Sequence, residues 1–104
     1  MNYFADYKNR KIRLSNERKN HFEENHPELV NQEMKIEETL SSPDCIINSN
    51  TDTSVELFYK YYKSTPVGAM YLCVVAKFIG GNDFIVTAYF TDVIKKGELL
   101  WKKK

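Results

Sequence analysis

Residues 68–91, GAMYLCVVAKFIGGNDFIVTAYFT, decide the fold. Two arms rich in β-branched and aromatic residues, 70–79 and Phe84–Thr91, flank the sequence GGND at 80–83, which has the composition of a tight turn. The stretch therefore predicts a β-hairpin, and the other elements of the chain are expected to pack around it.

Alternation along the two arms of the hairpin separates their side chains into two faces. The even-numbered face carries no polar group, so we expect it to be buried; its members are Leu72, Val74, Ala76, Phe78, Val86, Ala88 and Phe90. The odd-numbered face carries an amine and several hydroxyls; its members are Tyr71, Cys73, Val75, Lys77, Thr87, Tyr89 and Thr91. We expect the odd-numbered face to be half covered and available for chemistry.

The register of this hairpin follows from the polarity of Lys77. Directly opposed residues in an antiparallel pair point to the same side, so a loop of two or four residues would set Lys77 opposite Val86 on the apolar face. The turn is therefore expected to have an odd length or to carry a bulge. One register sets Val75 opposite Thr87, and the favoured one sets Lys77 opposite Thr87.

Length and composition predict a single domain over residues 1–104. The chain has 104 residues, of which 42% are hydrophobic, so it can bury one core. Residues 1–10 lack a clear period and are expected to lie over the core as an arm, and residues 102–104 form a basic tail. Because the formal net charge is only +1, any site for a polyanion must be local.

The sequence predicts a cytoplasmic chain with two buried cysteines. No apolar run reaches the length of about 18 residues that a membrane helix needs, and the N-terminal residues lack the apolar stretch of a signal peptide. The two cysteines, Cys45 and Cys73, stand in apolar runs without CxxC spacing, so we interpret them as buried free thiols.

Two helices are predicted before the hairpin. Ser15 has the chemistry of an N-cap for a first helix over Asn16–Asn25, and Pro27 ends it in a bend that presents His26. A second helix over 28–41 has a broad apolar side suited to the even-numbered face of the hairpin.

The remaining segments predict strands at 45–47, at Val55–Tyr62 and, after a turn, near the C-terminus. Two helices followed by a run of antiparallel strands predict an α+β fold. We expect two N-terminal helices packed on one face of a four- to five-stranded antiparallel sheet, with the other face open.

The residues on the open face suit metal-independent RNA cleavage. No nucleotide-binding, GxSxG or HExxH motif is present, and His21 and His26 have no third ligand at metal spacing, so neither a metal nor a cofactor is expected. Histidine carries protons near neutral pH, and Lys77, alone in an apolar strand, must face solvent or an anion. In the competing interpretation His26 only ends a helix, and the tyrosines at 59, 61 and 62 only pack the sheet.

Six segments resemble the phage-associated nuclease domains of the barnase-EndoU-colicin-RelE-like superfamily. They are KIRLS, HFEENHPEL, ETLSSPDCI, ELFYKYY, YLCVVAKF and FIVTAYFTDVIKKGELLW, and together they extend from Lys11 to Trp101. The resemblance implies a metal-independent ribonuclease, often a toxin, with helices on an antiparallel sheet. It implies that His26 acts as base or acid, that Lys77 binds phosphate, and that Thr87 and Tyr89 donate hydroxyl hydrogen bonds.

These observations lead to three hypotheses. In the first, the chain is an endoribonuclease, a toxin or phage-conflict effector, with RNA as substrate and a protein inhibitor, an antitoxin or immunity protein, as partner. The residues expected to bind substrate are Arg13, Tyr59, Tyr61, Thr91 and Lys95. In the second, a catalytically inactive module binds RNA or protein on the open face, and in the third the domain forms a homodimer through a sheet edge or that face.

Overall fold

The computed structural model describes residues 2–104 as two helices and seven strands. In chain order they are β1 (Asn2–Ala5), β2 (Lys11–Leu14), α1 (Asn16–Asn25), a 3-10 turn (Pro27–Leu29), α2 (Glu33–Ser41), β3 (Cys45–Asn48), β4 (Val55–Tyr62), β5 (Met70–Lys77), β6 (Phe84–Thr91) and β7 (Glu98–Lys102). The predicted bounds of α1, β4 and β6 are confirmed.

The strands form one mixed sheet in the order β1-β2-β6-β5-β4-β3-β7. All neighbours are antiparallel except β2 and β6, which pair in parallel through Arg13 and Phe84. The expectation of a four- to five-stranded antiparallel sheet is therefore wrong. It omitted β1, and it did not include the parallel pair, which joins segments far apart in the chain.

The N-terminal residues form a hairpin rather than an arm. β1 pairs with β2, and the connection between them is held by the buried Asp6, whose carboxylate accepts hydrogen bonds from the backbone N–H groups of Lys8 and Arg10. Asn9 takes a positive φ of 62° in this turn, a conformation that asparagine tolerates. β1 lies in a segment of mixed aromatic and polar residues without a clear period, which explains why the sequence pattern did not predict it.

The helices begin where capping and backbone conformation allow. The Ser15 side chain accepts a hydrogen bond from the Arg18 N–H, which confirms the predicted N-cap of α1. The predicted second helix over 28–41 is too long, because Asn31 has a left-handed φ of 66° and α2 starts only at Glu33. Within residues 2–104 no helix is long and apolar enough to cross a membrane.

The sheet buries side chains on both faces. The helix side holds the larger core, to which both helices contribute; it includes Phe22, Leu29, Ile36, Leu40, Phe58, Leu72, Val74, Ala76, Ile85 and Ala88. A smaller cluster covers the other face and consists of Cys45, Ile47, Leu57, Tyr59 and Cys73, with partly buried neighbours that include Ile94. Both cysteines are buried and free, as predicted.

A β-bulge decides which residues of the hairpin are buried. Val75 opposes Thr87, and the register then shifts so that Ala76 opposes Ile85 and Lys77 opposes Phe84. A bulge was one of the expected alternatives and the pairing of Val75 with Thr87 was one of the two expected registers, but the favoured pairing of Lys77 with Thr87 is wrong. Because one extra residue is inserted on β6, Ile85 rather than Val86 enters the helix-side core.

Residues 92–97, which we call the strap, connect β6 to β7 across the sheet. Since β5, β4 and β3 lie between these two strands, the connection must pass over them. It runs on the face away from the helices, where Ile94 packs against the smaller cluster. The face that was expected to be open is thus partly covered.

Candidate functional site

A depression of about 350 Å³ lies between the strap and the strands beneath it. Leu57, Val75 and Thr87 lie at its base, and other lining residues are Tyr89, Asn50, Lys95 and Lys96. The volume is at the lower end of the range of about 300–1,000 Å³ typical of ligand sites. Of the residues proposed from the sequence, the depression brings together Thr87, Tyr89 and Lys95.

Strand register places these side chains on one face. Leu57 opposes Val75, which opposes Thr87, so the three form a row across β4, β5 and β6. The next row on the same face runs through Cys45, Tyr59, Cys73 and Tyr89. The first row forms the base of the depression, and the second is largely covered by the strap.

The strap is fixed to the sheet at defined points. The backbone N–H of Lys95 donates a hydrogen bond of 3.1 Å to the Tyr59 hydroxyl oxygen, and Asn50 donates through Nδ2 to the Lys96 carbonyl at 3.1 Å. At Gly97 the strap comes so close to β3 that a Cβ atom would lie 2.6 Å from Ile47 Cγ2. Lys95 and Lys96 are therefore held beside the depression.

Tyr89 presents its ring, and not its hydroxyl, to this site. Its hydroxyl oxygen is buried beside Tyr59 and Cys73, and it has no hydrogen-bond partner among residues 2–104. Burial raises the pKa of Tyr89 far above the value of a free phenol. This hydroxyl cannot act as a base near neutral pH, and it does not face a ligand in the depression.

The same burial keeps the neighbouring groups protonated. Burial is the largest cause that raises the pKa of Cys73 to about 11, and it is also the largest cause that raises the pKa of Tyr59 to about 12. Tyr59 is fully buried, so its predicted contact with substrate is wrong. It supports the strap instead.

His26 lies at the margin of β6, at the C-terminal end of α1. Its backbone N–H caps the helix by donating to the Phe22 carbonyl at 2.8 Å. Its half-buried imidazole has a ring centroid 6.1 Å from that of Tyr89, with an angle of 37° between the rings. The His26 imidazole therefore lies beside the ring of Tyr89 at this margin.

Lys77 forms an ion pair with Asp52. Its Nζ is 3.0 Å from Asp52 Oδ2, in the connection between β3 and β4. Hydrogen bonds from Ser54, followed by that from Lys77, lower the pKa of Asp52 to about 2, so the carboxylate is charged near neutral pH. The positive charge of Lys77 is therefore largely compensated.

The other proposed residues lie apart from the depression. Arg13 donates to Asn82 Oδ1 at 3.2 Å beside the hairpin turn, and Thr91 both donates to and accepts from the backbone of Val93. Tyr61 is 46% exposed and packs edge-on against Tyr71. Arg13, Thr91 and Tyr61 therefore do not form a single site with the residues that line the depression.

The three tyrosines of β4 do not form one stacking surface. Tyr59 and Tyr61 point to the strap side, whereas Tyr62 packs against the helix-side core and donates to Glu38 Oε1 at 2.8 Å. Alternation along a strand requires this separation. The interpretation of the tyrosines as sheet packing is supported for Tyr59 and Tyr62.

Sequence reasoning missed Asn50 and Arg18 as members or neighbours of the site. The positions of Asn50 and Arg18 depend on long-range contacts, with the strap and with β6 respectively, that no local pattern shows.

No protein-family model matches the chain, and searches of the curated proteins and of the solved structures also return no match. Within residues 2–104 no group of three or more histidine, cysteine, aspartate or glutamate side chains could hold a metal ion. The functional argument therefore depends on the geometry of the depression and its margin.

Proposed function

We propose that the protein is a metal-independent endoribonuclease whose site is the depression beneath the strap. The observation that supports this proposal is the position of the His26 imidazole beside Tyr89, which lines the same depression as Thr87 and Lys95. A histidine at the margin of the depression can carry a proton near neutral pH. The nearby ammonium groups of the lysines can stabilise negative charge that develops on a phosphate.

In this mechanism His26 takes the proton of a ribose 2′-hydroxyl. The resulting oxygen nucleophile attacks the adjacent phosphorus, the bond from phosphorus to the 5′-oxygen breaks, and the departing oxygen is protonated by solvent or by the imidazolium. Lys95 and Lys96 stabilise the negative charge that develops on the phosphate oxygens. The Thr87 hydroxyl, at the base of the depression, donates to the same group.

Two roles differ from those that the resemblance implied. Lys77 is compensated by Asp52, so we assign the phosphate contact to Lys95 and Lys96. Tyr89 contributes the face or edge of its ring to a bound base, because its hydroxyl is turned inward. The proposed catalytic set is therefore His26, Thr87 and the two lysines of the strap.

The resemblance to phage-associated nuclease domains of the barnase-EndoU-colicin-RelE-like superfamily supports the same reaction. It extends the proposal to a cytoplasmic toxin or phage-conflict effector that is restrained by an antitoxin or immunity protein. Expression in a heterologous bacterium tests this extension: growth arrest by the wild-type chain, relieved by His26→Ala, is expected. Equal growth with both chains would contradict the toxin role.

The direct test is RNA cleavage in the presence of EDTA. We expect His26→Ala to reduce the rate by about 10²- to 10⁴-fold, the usual contribution of a general acid or base. His21→Ala is the matched control, because His21 is exposed on α1 and its Nε2 lies 3.4 Å from Asn25 Nδ2. Equal rates for the wild type and His26→Ala, or cleavage that needs a divalent ion, would reject the mechanism.

A second candidate function is RNA binding without cleavage. The inward hydroxyl of Tyr89 and the compensated charge of Lys77 favour it, because both groups are engaged within the protein rather than presented to a ligand. Wild-type protein that binds RNA in the depression but leaves it intact after long incubation would identify this function.

A further inference from the structure

The margin of β6 beyond its first residue is bordered by α1 instead of by another strand. β2 pairs with β6 only between Arg13 and Phe84, and the chain then turns at Ser15 into the helix. Contacts at Val86 and at Tyr89 show that α1 follows β6 in the same direction. The helix can therefore present side chains in sequence along this margin.

Three nitrogen-bearing side chains border β6 in this way. The guanidinium groups of Arg13 and Arg18 lie 5.9 Å and 5.3 Å from the centre of the Phe84 ring. Arg18 Nη1 is also 3.4 Å from the Val86 carbonyl, and the His26 ring is near Tyr89. At about 3.3 Å per strand residue, the steps from 84 to 86 and from 86 to 89 are about 7 Å and about 10 Å.

These groups border the face that carries the depression. Because Arg13 opposes Phe84, it points to the same side of the sheet as Phe84, whereas its neighbours Ile12 and Leu14 are buried in the helix-side core. Lys95 and Lys96 lie on the strap side of the depression. Cations therefore flank it from two sides.

The positive charges of Arg13 and Arg18 are available to bind an anion. Within residues 2–104 neither Arg13 nor Arg18 forms an ion pair with a carboxylate, whereas Lys19, the neighbour of Arg18 on α1, is engaged by Glu33 and lies 4.0 Å from Glu23. Arg18 is also solvent-exposed. In a chain of net charge +1, two neighbouring arginines without a carboxylate partner form a local site that attracts anions.

We propose that Arg13, Arg18 and His26 form a phosphate rail that holds the backbone of a single-stranded RNA along β6, with one base placed in the depression. This inference rests on the proposed function for the identity of the nucleic acid. A cationic groove beside aromatic rings is the usual arrangement for single strands. A duplex cannot use the depression, because its bases are stacked and paired inside the helix.

The test measures binding of a short labelled single strand as a function of NaCl concentration. Single-stranded DNA of the same sequence is the main probe, because it lacks the 2′-hydroxyl and cannot be cleaved by the proposed reaction. For single strands, each phosphate contact contributes about 0.7 to the slope of log K against log salt. We expect Arg18→Gln to reduce that slope by about 0.7 and Arg13→Gln with Arg18→Gln to reduce it by about 1.4.

Lys63→Gln is the matched control, because Lys63 is exposed in the connection between β4 and β5 and should leave the slope unchanged. Circular dichroism of each variant verifies folding. The phosphate rail would be rejected if Arg18→Gln left the slope of log K against log salt unchanged. It would also be rejected if a duplex bound more tightly than the single strand, and either result would hold even if RNA is cleaved.

The two proposals fail separately. Binding of single-stranded DNA with a slope that Arg18→Gln reduces, together with no cleavage of RNA, keeps the rail and rejects the nuclease. Cleavage of RNA with an unchanged slope keeps the nuclease and rejects the rail. Absence of binding to either single strand by the wild type rejects the rail, and the cleavage assay then decides the nuclease independently.

Discussion

The hydroxyl oxygen of Tyr59 accepts a hydrogen bond from the backbone N–H of Lys95, over 3.1 Å. Tyr59 is fully buried in the middle of the sheet, and Lys95 belongs to the strap. One side chain of the sheet therefore sets the height at which the strap passes over the depression. The position of the two strap lysines depends on this contact.

Tyr59→Phe should loosen the strap without changing the shape of the core. The substitution removes the acceptor and leaves the Lys95 N–H without its partner, so we expect a loss of about 1–2 kcal/mol in the free energy of unfolding. Urea denaturation measures this loss, and faster hydrogen exchange at Lys95 locates it. Tyr61→Phe is the control, since Tyr61 is exposed. Equal losses in both variants would show that the hydrogen bond does not hold the strap.

Gly97→Ala should be destabilising because there is no space for a Cβ atom. That atom would lie 2.6 Å from Ile47 Cγ2 and would also meet the Asn48 carbonyl oxygen, so strap and β3 must separate. We expect a loss of about 1–3 kcal/mol, which thermal denaturation can measure. Lys96→Ala, at the exposed neighbouring position, should change stability by less than about 0.5 kcal/mol. A stable Gly97→Ala protein would refute the close approach.

Stability should decrease at alkaline pH because of the buried thiol of Cys73. Burial raises its pKa from 9.0 to about 11, so the folded state retains a proton that the unfolded state releases. The contribution of this thiol to the free energy of unfolding is complete below pH 9 and is lost as the pH rises through 11. The total loss is roughly 3 kcal/mol. Urea denaturation between pH 8 and pH 11 should show a smaller decrease in Cys73→Ala than in the wild type. Parallel pH dependences would assign the effect to other groups.

Asp52→Asn should strengthen the binding of RNA. The substitution removes the carboxylate that compensates Lys77 and so makes a further cation available on the face of the depression. We expect higher affinity and a steeper salt dependence in Asp52→Asn, both reversed when Lys77→Gln is added. Because the pKa of Asp52 is about 2, its carboxylate stays charged at pH 5, so removing the compensation of Lys77 requires the substitution. Unchanged affinity in Asp52→Asn would place Lys77 outside the path of the RNA.

The products of cleavage should carry 2′,3′-cyclic phosphate ends. In the proposed reaction the nucleophile is the 2′-hydroxyl of the substrate itself, and His26 only removes its proton. Mass spectrometry of the fragments identifies the ends, and a substrate with a single 2′-deoxy sugar at the cut position should resist cleavage. Products with 5′-phosphate ends would require water as the nucleophile and would exclude this role for His26.

Local patterns predicted the elements whose neighbours are near in sequence. Val55–Tyr62 and Phe84–Thr91 have the predicted bounds, because eight residues suffice for β-branched and aromatic composition to become evident. β1 has only four residues, and it exists because Asp6 binds the backbone of the turn that follows. The left-handed conformation of Asn31, which shortens α2, was likewise not apparent from helical periodicity.

The candidate site was predictable to the extent that it lies on the hairpin. Alternation placed Thr87 and Tyr89 on the same face as observed, and Pro27 indicated that α1 ends at His26. The pairing of Lys77 with Asp52 and the passage of the strap over Tyr59 depend on contacts between segments far apart in the chain. Such contacts are decided by the tertiary fold and leave no local periodicity.

The parallel pair of β2 and β6 has a consequence for the order in which the chain folds. β4, β5 and β6 are consecutive in sequence and pair with their immediate neighbours, so they can form a folding nucleus at a small entropic cost of loop closure. Arg13 and Phe84 stand near opposite ends of the chain, and their pairing must wait until that nucleus exists. During synthesis the first hairpin and both helices therefore leave the ribosome before the surface that buries them has been made.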